Sequence, residues 1–479
     1  MDKTQVRLEM RSRGARMERD SLGEREVPEE AYYGIQTLRA LENFPISGIL
    51  PESRFIWASA AVKRAAAEAN MAVGQLDSRI GQAIVQAAQE VIDGHWRDQF
   101  VVDVFQAGAG TSHNMNANEV LANRAIEILG GRKGDYGLVH PNDHVNMAQS
   151  TNDVFPTAMR LAALSLLEDL YVSLEKLEAA LAEKGAEFLA VVKSGRTHLQ
   201  DAVPVTLGQE FRAYAASIGR GLLRIRETAR NLLSLSIGAT AAGTGLNAHP
   251  LYRPKVIERL RGLTGFDLQG AGDIMEATQS TADFAYVSSA LKSLALDLIR
   301  IANDLRLMSS GPSTGLGEIN LPAVQPGSSI MPGKVNPVIA EVTDMVCFQV
   351  VGNDLTIAMA TQAGQFELNV MMPVISHNLL QSIQILKNVV AVLADRCVSG
   401  VTANAEHCRE LAEKSLGMAT VLNPYIGYER AAMVAREAQV TGRTIREIVI
   451  EQGLLSREDL ERVFDPARMA NPAGSGEAP

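Results

Sequence analysis

Three long stretches of the chain repeat apolar residues at spacings of three and four, which is typical of amphipathic helices. In the first stretch, Leu170, Leu174, Leu177 and Leu181 fall on one face. The three predicted helices run from about Leu161 to Val191, from about Leu207 to Leu235 and from about Met275 to Met308. The third is predicted to end at Met308 because Gly311-Pro312 is a strong stop signal.

Two further long helices are predicted from about Pro337 to Thr361 and from about Pro373 to Cys397, because proline is tolerated in the first helical turn. Average globular helices run about 11–12 residues, so five helices near twice that length predict an extended bundle. No stretch has the alternation of a substantial β-sheet. The expected fold class is therefore mainly α, with a central bundle of five long helices flanked by smaller N- and C-terminal helical domains.

The predicted domain organisation follows the chain in three consecutive parts. An N-terminal domain covers 1–150, the long-helix bundle covers 151–404, and a small C-terminal helical domain covers 405–479. The last residues, from Ala470 to Pro479, are small and contain glycine and proline, so a disordered tail is expected.

Charge and composition exclude several classes of partner. The chain has 45 basic and 55 acidic residues, and its net charge of −10 disfavours nucleic acid or an anionic membrane surface. Met1 to Asp20 is rich in charge and lacks the apolar stretch that a signal peptide needs, and no segment approaches roughly 20 apolar residues, so a cytoplasmic location is expected.

Cysteine and histidine patterns give no support for a metal site. The three cysteines are far apart, which predicts buried thiols, and the eight histidines show no ligand spacing. We therefore expect no cofactor and no protein-built metal site, while activation by a divalent cation is not predictable from the sequence.

The segment from Gly311 to Pro337 separates two long helices and is rich in glycine and proline. Connections longer than roughly 12–15 residues without structure of their own are usually functional or disordered. This one is too apolar for simple disorder, so a mobile catalytic loop is predicted.

Several separated motifs share one chemistry, because most of their polar side chains are neutral hydrogen-bond donors. They are Thr111, Ser150, Thr151, Asn152, Thr197 and His198, joined by Lys334 and Asn336. Such donors suit a dicarboxylate, since they hold carboxylate oxygens while one lysine supplies electrostatic affinity. Any one of them alone is as well explained as a helix cap or a loop group.

The eleven residues from Gly327 to Pro337 resemble the signature of the aspartase and fumarase superfamily. Matching blocks run from Gly108 to Glu119, from Gln149 to Asp153 and from Gly195 to Asp201, and the resemblance extends from about Arg19 to Leu460. It implies the long-helix fold of that superfamily and a homotetramer whose active sites are shared between chains.

The resemblance also implies β-elimination of ammonia from L-aspartate through an aci-carboxylate intermediate to give fumarate. Ser328 would be the general base, with His198 and Lys334 as the other catalytic residues. Thr111, Ser150, Thr151 and Ser329 would stabilise the second negative charge of the intermediate. Thr197, Lys334 and Asn336 would hold the other carboxylate, and Asn152 and His198 would lie near the amino group.

The aspartase branch is favoured by the segment Tyr32 to Thr37 and by Thr151, where fumarases usually have serine. Three features depart from the family pattern: Ser313 replaces an arginine usual in both branches, Met372 an acidic residue usual in aspartases, and Asp344-Met345 an amide pair common in aspartases. Loss of the guanidinium would loosen the loop or make space for a larger substrate.

Three other functions therefore stay open. The chain could be a fumarase, a carbon-nitrogen lyase for a modified aspartate, or a non-catalytic helical scaffold. The intact Ser328, Lys334 and His198 argue against the scaffold.

Overall fold

A computed structural model describes residues 14–465 and is built mainly from helices. The N-terminal part contains the antiparallel pair β1 (Ala15–Asp20) and β2 (Gly23–Pro28). Four helices follow: α1 (Ile35–Asn43), α2 (Ser53–Ala72), α3 (Ser78–Ile92) and α4 (Thr111–Ile128). Acidic side chains begin two of them, because Glu52 accepts a hydrogen bond from the Arg54 N–H and Asp77 from the Arg79 N–H.

The five predicted long helices are confirmed, and so is the mainly α fold class. The helices of this central part are α5 (Thr151–Glu187), α6 (Leu207–Ala229), α7 (Tyr252–Thr264), α8 (Glu276–Gln279), α9 (Ala282–Met308), α10 (Val338–Thr361) and α11 (Met372–Arg396). The C-terminal helices are α12 (Ala405–Lys414), α13 (Asn423–Ile426), α14 (Tyr428–Thr441), α15 (Ile445–Glu451) and α16 (Arg457–Val463). The predicted tail from Ala470 to Pro479 lies outside the described residues.

Strands within residues 14–465 form only two-stranded pairs. The hairpin of β3 (Val192–Thr197) and β4 (Gln200–Thr206) is the most extensive after β1 and β2, and its register shifts between Ser194 and Arg196. The two-residue pairs are β5 (Ser234–Leu235) with β6 (Gln269–Gly270), and β7 (Ile319–Asn320) with β8 (Thr402–Ala403).

Contacts divide the described chain into two compact units, each assembled from three stretches. Unit 1 contains 14–170, Arg224–Lys292 and Gln349–Ile385, and unit 2 contains Tyr171–Leu223, Ser293–Phe348 and 386–465. The boundaries between these stretches fall inside the five long helices. The consecutive division into three domains stays a prediction.

Each unit has its own apolar core. In unit 1 a core of alanine, leucine, isoleucine and valine forms between α2, α3 and α4, with Ile84, Leu121 and Ile126 fully buried. In unit 2 the C-terminal helices pack around Leu422, Ile448 and Val449. All three cysteines are buried, as predicted. No helix in residues 14–465 is long and apolar enough to cross a membrane.

Candidate active site

Two helices of unit 1 begin at predicted site residues, Thr111 at the start of α4 and Thr151 at the start of α5. Thr111 Oγ1 lies 3.3 Å from Thr151 Oγ1 and donates to the Gly108 carbonyl at 2.6 Å. Gly108 and Gly110 have φ values of 78° and 92°, so the chain turns sharply into α4. A side chain at Gly110 would overlap the Phe155 ring, which explains why the turn needs glycine there.

Asn114, one turn into α4, connects the two helix starts. Its Nδ2 donates to Thr151 Oγ1 at 3.1 Å and to Asn146 Oδ1 at 3.2 Å. The Thr151 hydroxyl is therefore positioned by a buried amide, and Thr151 itself is 8% exposed. Positioned hydroxyl donors at helix N-termini suit an anionic ligand.

Ser150 and Asn152 flank Thr151, and the buried Asp153 fixes the backbone of Ser150. Asp153 accepts hydrogen bonds from the N–H groups of Ser150, Gly238 and Thr240 at 2.9–3.0 Å. Burial raises the pKa of Asp153 to about 7 in spite of these donors. The carboxyl group attaches the loop before α7 to the start of α5.

The side-chain amide of Asn152 has a defined orientation. Its Nδ2 donates to the Ala241 carbonyl at 2.7 Å, while its Oδ1 has no hydrogen-bond partner within the described chain. Asn152 Oδ1 is thus available as an acceptor, and an ammonium N–H needs such an acceptor. The structure brings Thr111, Ser150, Thr151 and Asn152 together in unit 1.

Thr197 and His198 lie in unit 2, at the exposed turn of the β3–β4 hairpin. The two turn residues, His198 and Leu199, both have φ of 57°. Two positive φ values define a type I′ turn, which normally takes asparagine or glycine. Holding non-glycine residues there costs about 1–3 kcal/mol each, and such strain is often found at functional sites.

A buried ionic cluster joins this hairpin to the base of the long loop. Glu318, which has no solvent exposure, accepts from Arg196 Nη1 at 2.8 Å and lies 3.0 Å from Lys193 Nζ. Lys193 also pairs with Glu210 of α6 at 2.8 Å. Arg196 directly precedes Thr197, so the cluster restrains the hairpin turn relative to Glu318.

The loop between α9 and α10 has an anchored base. The N–H groups of Gly317 and Glu318 donate to the carbonyls of Ser310 and Met308 at 2.9 and 2.8 Å. Asn404 Nδ2 donates to the Gly317 carbonyl at 2.7 Å, and His407 Nε2 contacts the Leu316 carbonyl at 3.0 Å.

The tip of this loop carries the other predicted site residues and bonds mainly to itself. Ser328 Oγ accepts from the N–H groups of Ile330 at 3.2 Å and Met331 at 2.9 Å, and Asn336 Nδ2 donates to the Gly327 carbonyl at 2.6 Å. Ser329 and Lys334 are exposed. No hydrogen bond joins the loop tip to Thr197 or His198 in residues 14–465.

Two of the three departures from the superfamily pattern have a structural explanation. Asp344 is 4% exposed and pairs with Arg306 at 2.9 Å, although burial outweighs this partner and raises the pKa of Asp344. Met372 is 1% exposed, so an apolar side chain fills the position of the usual acid. Ser313 is exposed, and nothing in the structure explains its replacement of arginine.

Comparison with known proteins identifies the family. The family described as "Lyase" matches residues 23–352, and "Fumarase C C-terminus" matches residues 418–471. The chain belongs to this lyase family. The predicted membership of the aspartase and fumarase superfamily is therefore confirmed.

Relatives within the lyase family align over nearly the whole chain. "Aspartate ammonia-lyase" from Bacillus sp is 54% identical over 96% of this chain and 98% of its own length. The protein of the same name from Bacillus subtilis (strain 168) is 52% identical over 96% and 97%.

Solved structures in the lyase family share the fold. "Fumarate lyase:delta crystallin from Brucella melitensis bound to cobalt" has a TM-score of 0.93 and 51% identity, covering 95% of this chain and all of that one. "Recombinant class II fumarase from Schistosoma mansoni" has a TM-score of 0.92 and 38% identity, with coverage of 96% and 100%.

Sequence motifs could not reveal the residues that support the predicted site. Asn114 and Asp153 belong to recognised blocks, but their partners lie 32 to 87 positions away. Glu318 falls in the predicted catalytic loop without any signal of its pairing with Arg196. Among residues 14–465, no three His, Cys, Asp or Glu side chains are grouped to hold a metal ion.

Proposed function

We propose that the protein catalyses the reversible elimination of ammonia from L-aspartate to give fumarate. The observation that carries this proposal is identity of about half, over nearly the whole length, to proteins named aspartate ammonia-lyase. The substrate is a dicarboxylate, and the neutral donors of the candidate site fit that class.

Ser328 is the general base of the proposed reaction. It takes the C3 proton of L-aspartate onto Oγ, and the electron pair moves into the adjacent carboxylate to form the aci-carboxylate. The C2–N bond then breaks, ammonia leaves with the bonding pair, and C2 and C3 become doubly bonded. The N–H groups of Ile330 and Met331 support this role, because both point at Oγ and stabilise an alkoxide there.

The remaining side chains divide between the two ends of the substrate. Thr111, Ser150, Thr151 and Ser329 stabilise the aci-carboxylate, whose second negative charge develops only during reaction. Thr197, Lys334 and Asn336 hold the other carboxylate. Asn152 receives the ammonium group on the Oδ1 left available by its bond to Ala241, next to His198.

The working protein is a homotetramer whose active sites combine chains. Helix α10 supports this proposal because it is apolar on several sides, and Val342, Met345, Phe348, Leu355 and Met359 are 38–65% exposed. Exposed apolar patches on a helix mark a surface covered by another protein. The reaction needs no cofactor and takes place in the cytoplasm, without a nucleic-acid or membrane partner.

The proposal is tested by the absorbance of fumarate formed from L-aspartate, L-malate and N-substituted aspartates in parallel. Protein treated with a chelator is expected to produce fumarate and an equal amount of ammonia from L-aspartate. A matched preparation carrying Ser328→Ala serves as the blank. Turnover of malate alone would transfer the assignment to a fumarase.

A lyase for a modified aspartate is the second candidate, and it is favoured by Ser313 and Met372. The missing arginine and acid make these two positions less polar than they are in the family pattern. Faster turnover of an N-substituted aspartate than of L-aspartate would establish this candidate. Turnover of no substrate by a folded protein would favour the helical scaffold.

A further inference from the structure

Lys63 is a buried cation beneath the candidate site of unit 1. It lies in the middle of α2 with no solvent exposure. Its Nζ donates to Asn146 Oδ1 at 2.8 Å and to Gln149 Oε1 at 2.9 Å. No carboxylate of the described chain lies within ion-pair distance, and Asp153 acts on the ammonium group only at longer range.

A lysine in this environment opposes folding. Removing a cation from water without a carboxylate partner is unfavourable, and amide acceptors offset only part of the loss. Burial accordingly lowers the pKa of Lys63 to about 7. An apolar side chain of similar volume would fill the position at least as well, so stability does not explain the residue.

Hydrogen bonds connect Lys63 to the predicted dicarboxylate site. Asn146 Oδ1 accepts from Lys63 and also from Asn114 Nδ2, which in turn donates to Thr151 Oγ1 at 3.1 Å. The second acceptor, Gln149, precedes Ser150, and its Nε2 donates to the carbonyls of Val145 and Met147. One cation thus organises the segment that presents Ser150 and Thr151, and through Asn146 it is connected to Asn114 of α4.

We propose that Lys63 is an electrostatic positioning residue that stabilises the second negative charge of the aci-carboxylate through Asn146, Asn114 and Thr151. This inference rests on the proposed elimination of ammonia from L-aspartate. The site would then contain two cations of different kinds, an exposed Lys334 for substrate capture and a buried Lys63 under the reacting carboxylate. A buried charge is effective there because little water screens it. Burial lowers the pKa of Lys63 to about 7, and the negative charge of a bound ligand opposes this shift by favouring the protonated form.

A fixed cation stabilises a ligand in proportion to the negative charge placed near it. Three ligand states give charges of zero, one and two at the reacting carboxylate. The un-ionised nitro group of 3-nitropropionate carries no net charge, its nitronate and the carboxylate of succinate each carry one, and the aci-carboxylate carries two. Removing the charge of Lys63 should therefore reduce stabilisation of the ligand by an amount that increases with each negative charge. If Lys63 had only a structural role, all three charge states would be stabilised less by the same amount.

The test compares Lys63→Met with Arg64→Met, which removes a cation from the next residue of the same helix, where Arg64 pairs with Glu68 at 3.0 Å. Dissociation constants for both forms of 3-nitropropionate and for succinate are measured with kcat/KM for L-aspartate. For Lys63→Met we expect binding of the nitro form to stay within about threefold, and nitronate and succinate to weaken about tenfold, or roughly 1.4 kcal/mol. The value of kcat/KM should fall about a hundredfold. For Arg64→Met, the loss of affinity or of kcat/KM should not increase with the charge of the ligand.

Asn146→Asp provides a second variant that keeps Lys63 in place. The new carboxylate pairs with Lys63 and neutralises its charge, so the same stepwise loss of ligand affinity and of kcat/KM is expected. This variant keeps the test informative even if Lys63→Met fails to fold. The proposed role of Lys63 would be overturned if affinity and kcat/KM fell equally for all three charge states, or if neither variant reduced them. Absence of fumarate from L-aspartate with the unmodified protein would instead overturn the proposed function, and the binding series would still decide the charge effect.

Discussion

Ser328 lies in a short turn in which its own oxygen accepts two backbone N–H groups, from Ile330 and Met331. A serine hydroxyl is a weak base near neutral pH, and oriented N–H dipoles are one means of stabilising its deprotonated form. The same two bonds would also form in an ordinary serine turn. The geometry therefore allows the base role, and a kinetic measurement has to distinguish the two explanations.

Ser328→Ala is expected to abolish fumarate formation while succinate binding stays within about tenfold, or roughly 1.4 kcal/mol, of the unmodified protein. A base contributes in the transition state, whereas carboxylate-holding groups contribute to the ground state as well. Steady-state kinetics and calorimetric binding measure the two effects. Lys334→Ala is the contrasting variant, because loss of its charge should reduce both affinity and rate. More than a tenth of normal turnover in Ser328→Ala would make His198 the next candidate base.

Candidate site residues in local motifs can be recognised in the sequence, whereas residues whose contacts are with distant parts of the chain cannot. Thr111, Thr151 and Ser328 each stand in a recognisable block. Lys63 lies in an alanine-rich helix whose polar partners, Asn146 and Gln149, are 83 and 86 positions away. A lysine at such a position looks the same in sequence whether it is solvated or buried.

At the level of elements, some boundaries of the long helices were predicted closely and others were not. The start of α6 at Leu207 is confirmed, whereas its end at Leu235 was wrong, since the helix ends at Ala229. Helices α9 and α10 end at Met308 and Thr361, as predicted, and the stop signal Gly311-Pro312 accounts for the first of these ends. The start of α5 at Leu161 was wrong, since the helix begins at Thr151. Its first turns bury polar side chains, including Asp153, Thr157 and Arg160, beside apolar ones such as Phe155 and Met159, so the apolar pattern is interrupted there.

The β3–β4 hairpin and the long loop depend on each other through Glu318. Arg196 and Lys193 on the hairpin both contact its buried carboxylate, while the loop backbone around Glu318 bonds to Met308 and Asn404. The ionic cluster therefore connects the β3–β4 hairpin to the base of the long loop.

Glu318→Gln should lower the free energy of unfolding by about 3–5 kcal/mol, because it leaves buried cations without their partner. It should also raise KM for L-aspartate, since Thr197 would lose its fixed position. Glu210→Gln is the matched control, because Glu210 contacts Lys193 without contacting Arg196. Denaturant unfolding and kinetics of both variants provide the comparison. A rise in KM that is equal in the two variants would contradict a specific role of the Glu318–Arg196 pair.

At the scale of the whole molecule, the exposed apolar residues of α10 and the separate site groups have one common explanation. Val342, Met345 and Phe348 lie on one side of α10 and are 38%, 64% and 59% exposed. Thr197 and Ser328 share no hydrogen bond although both belong to unit 2. Association of several chains through the long helices would cover these side chains and complete each site with residues from neighbours.

Mixing two inactive variants tests shared sites directly. Ser328→Ala chains, reassembled with an equal amount of Thr197→Ala chains, should recover up to about a quarter of normal activity, because random assortment completes that share of sites. Ser328→Ala mixed with Lys334→Ala is the matched control. Both changes lie in one loop, so neither kind of chain in this mixture carries an unmodified loop, and activity should not exceed the sum of the separate variants. Light scattering should show a tetramer in every mixture. A monomer, or equal recovery in the two mixtures, would show that each site is built from a single chain.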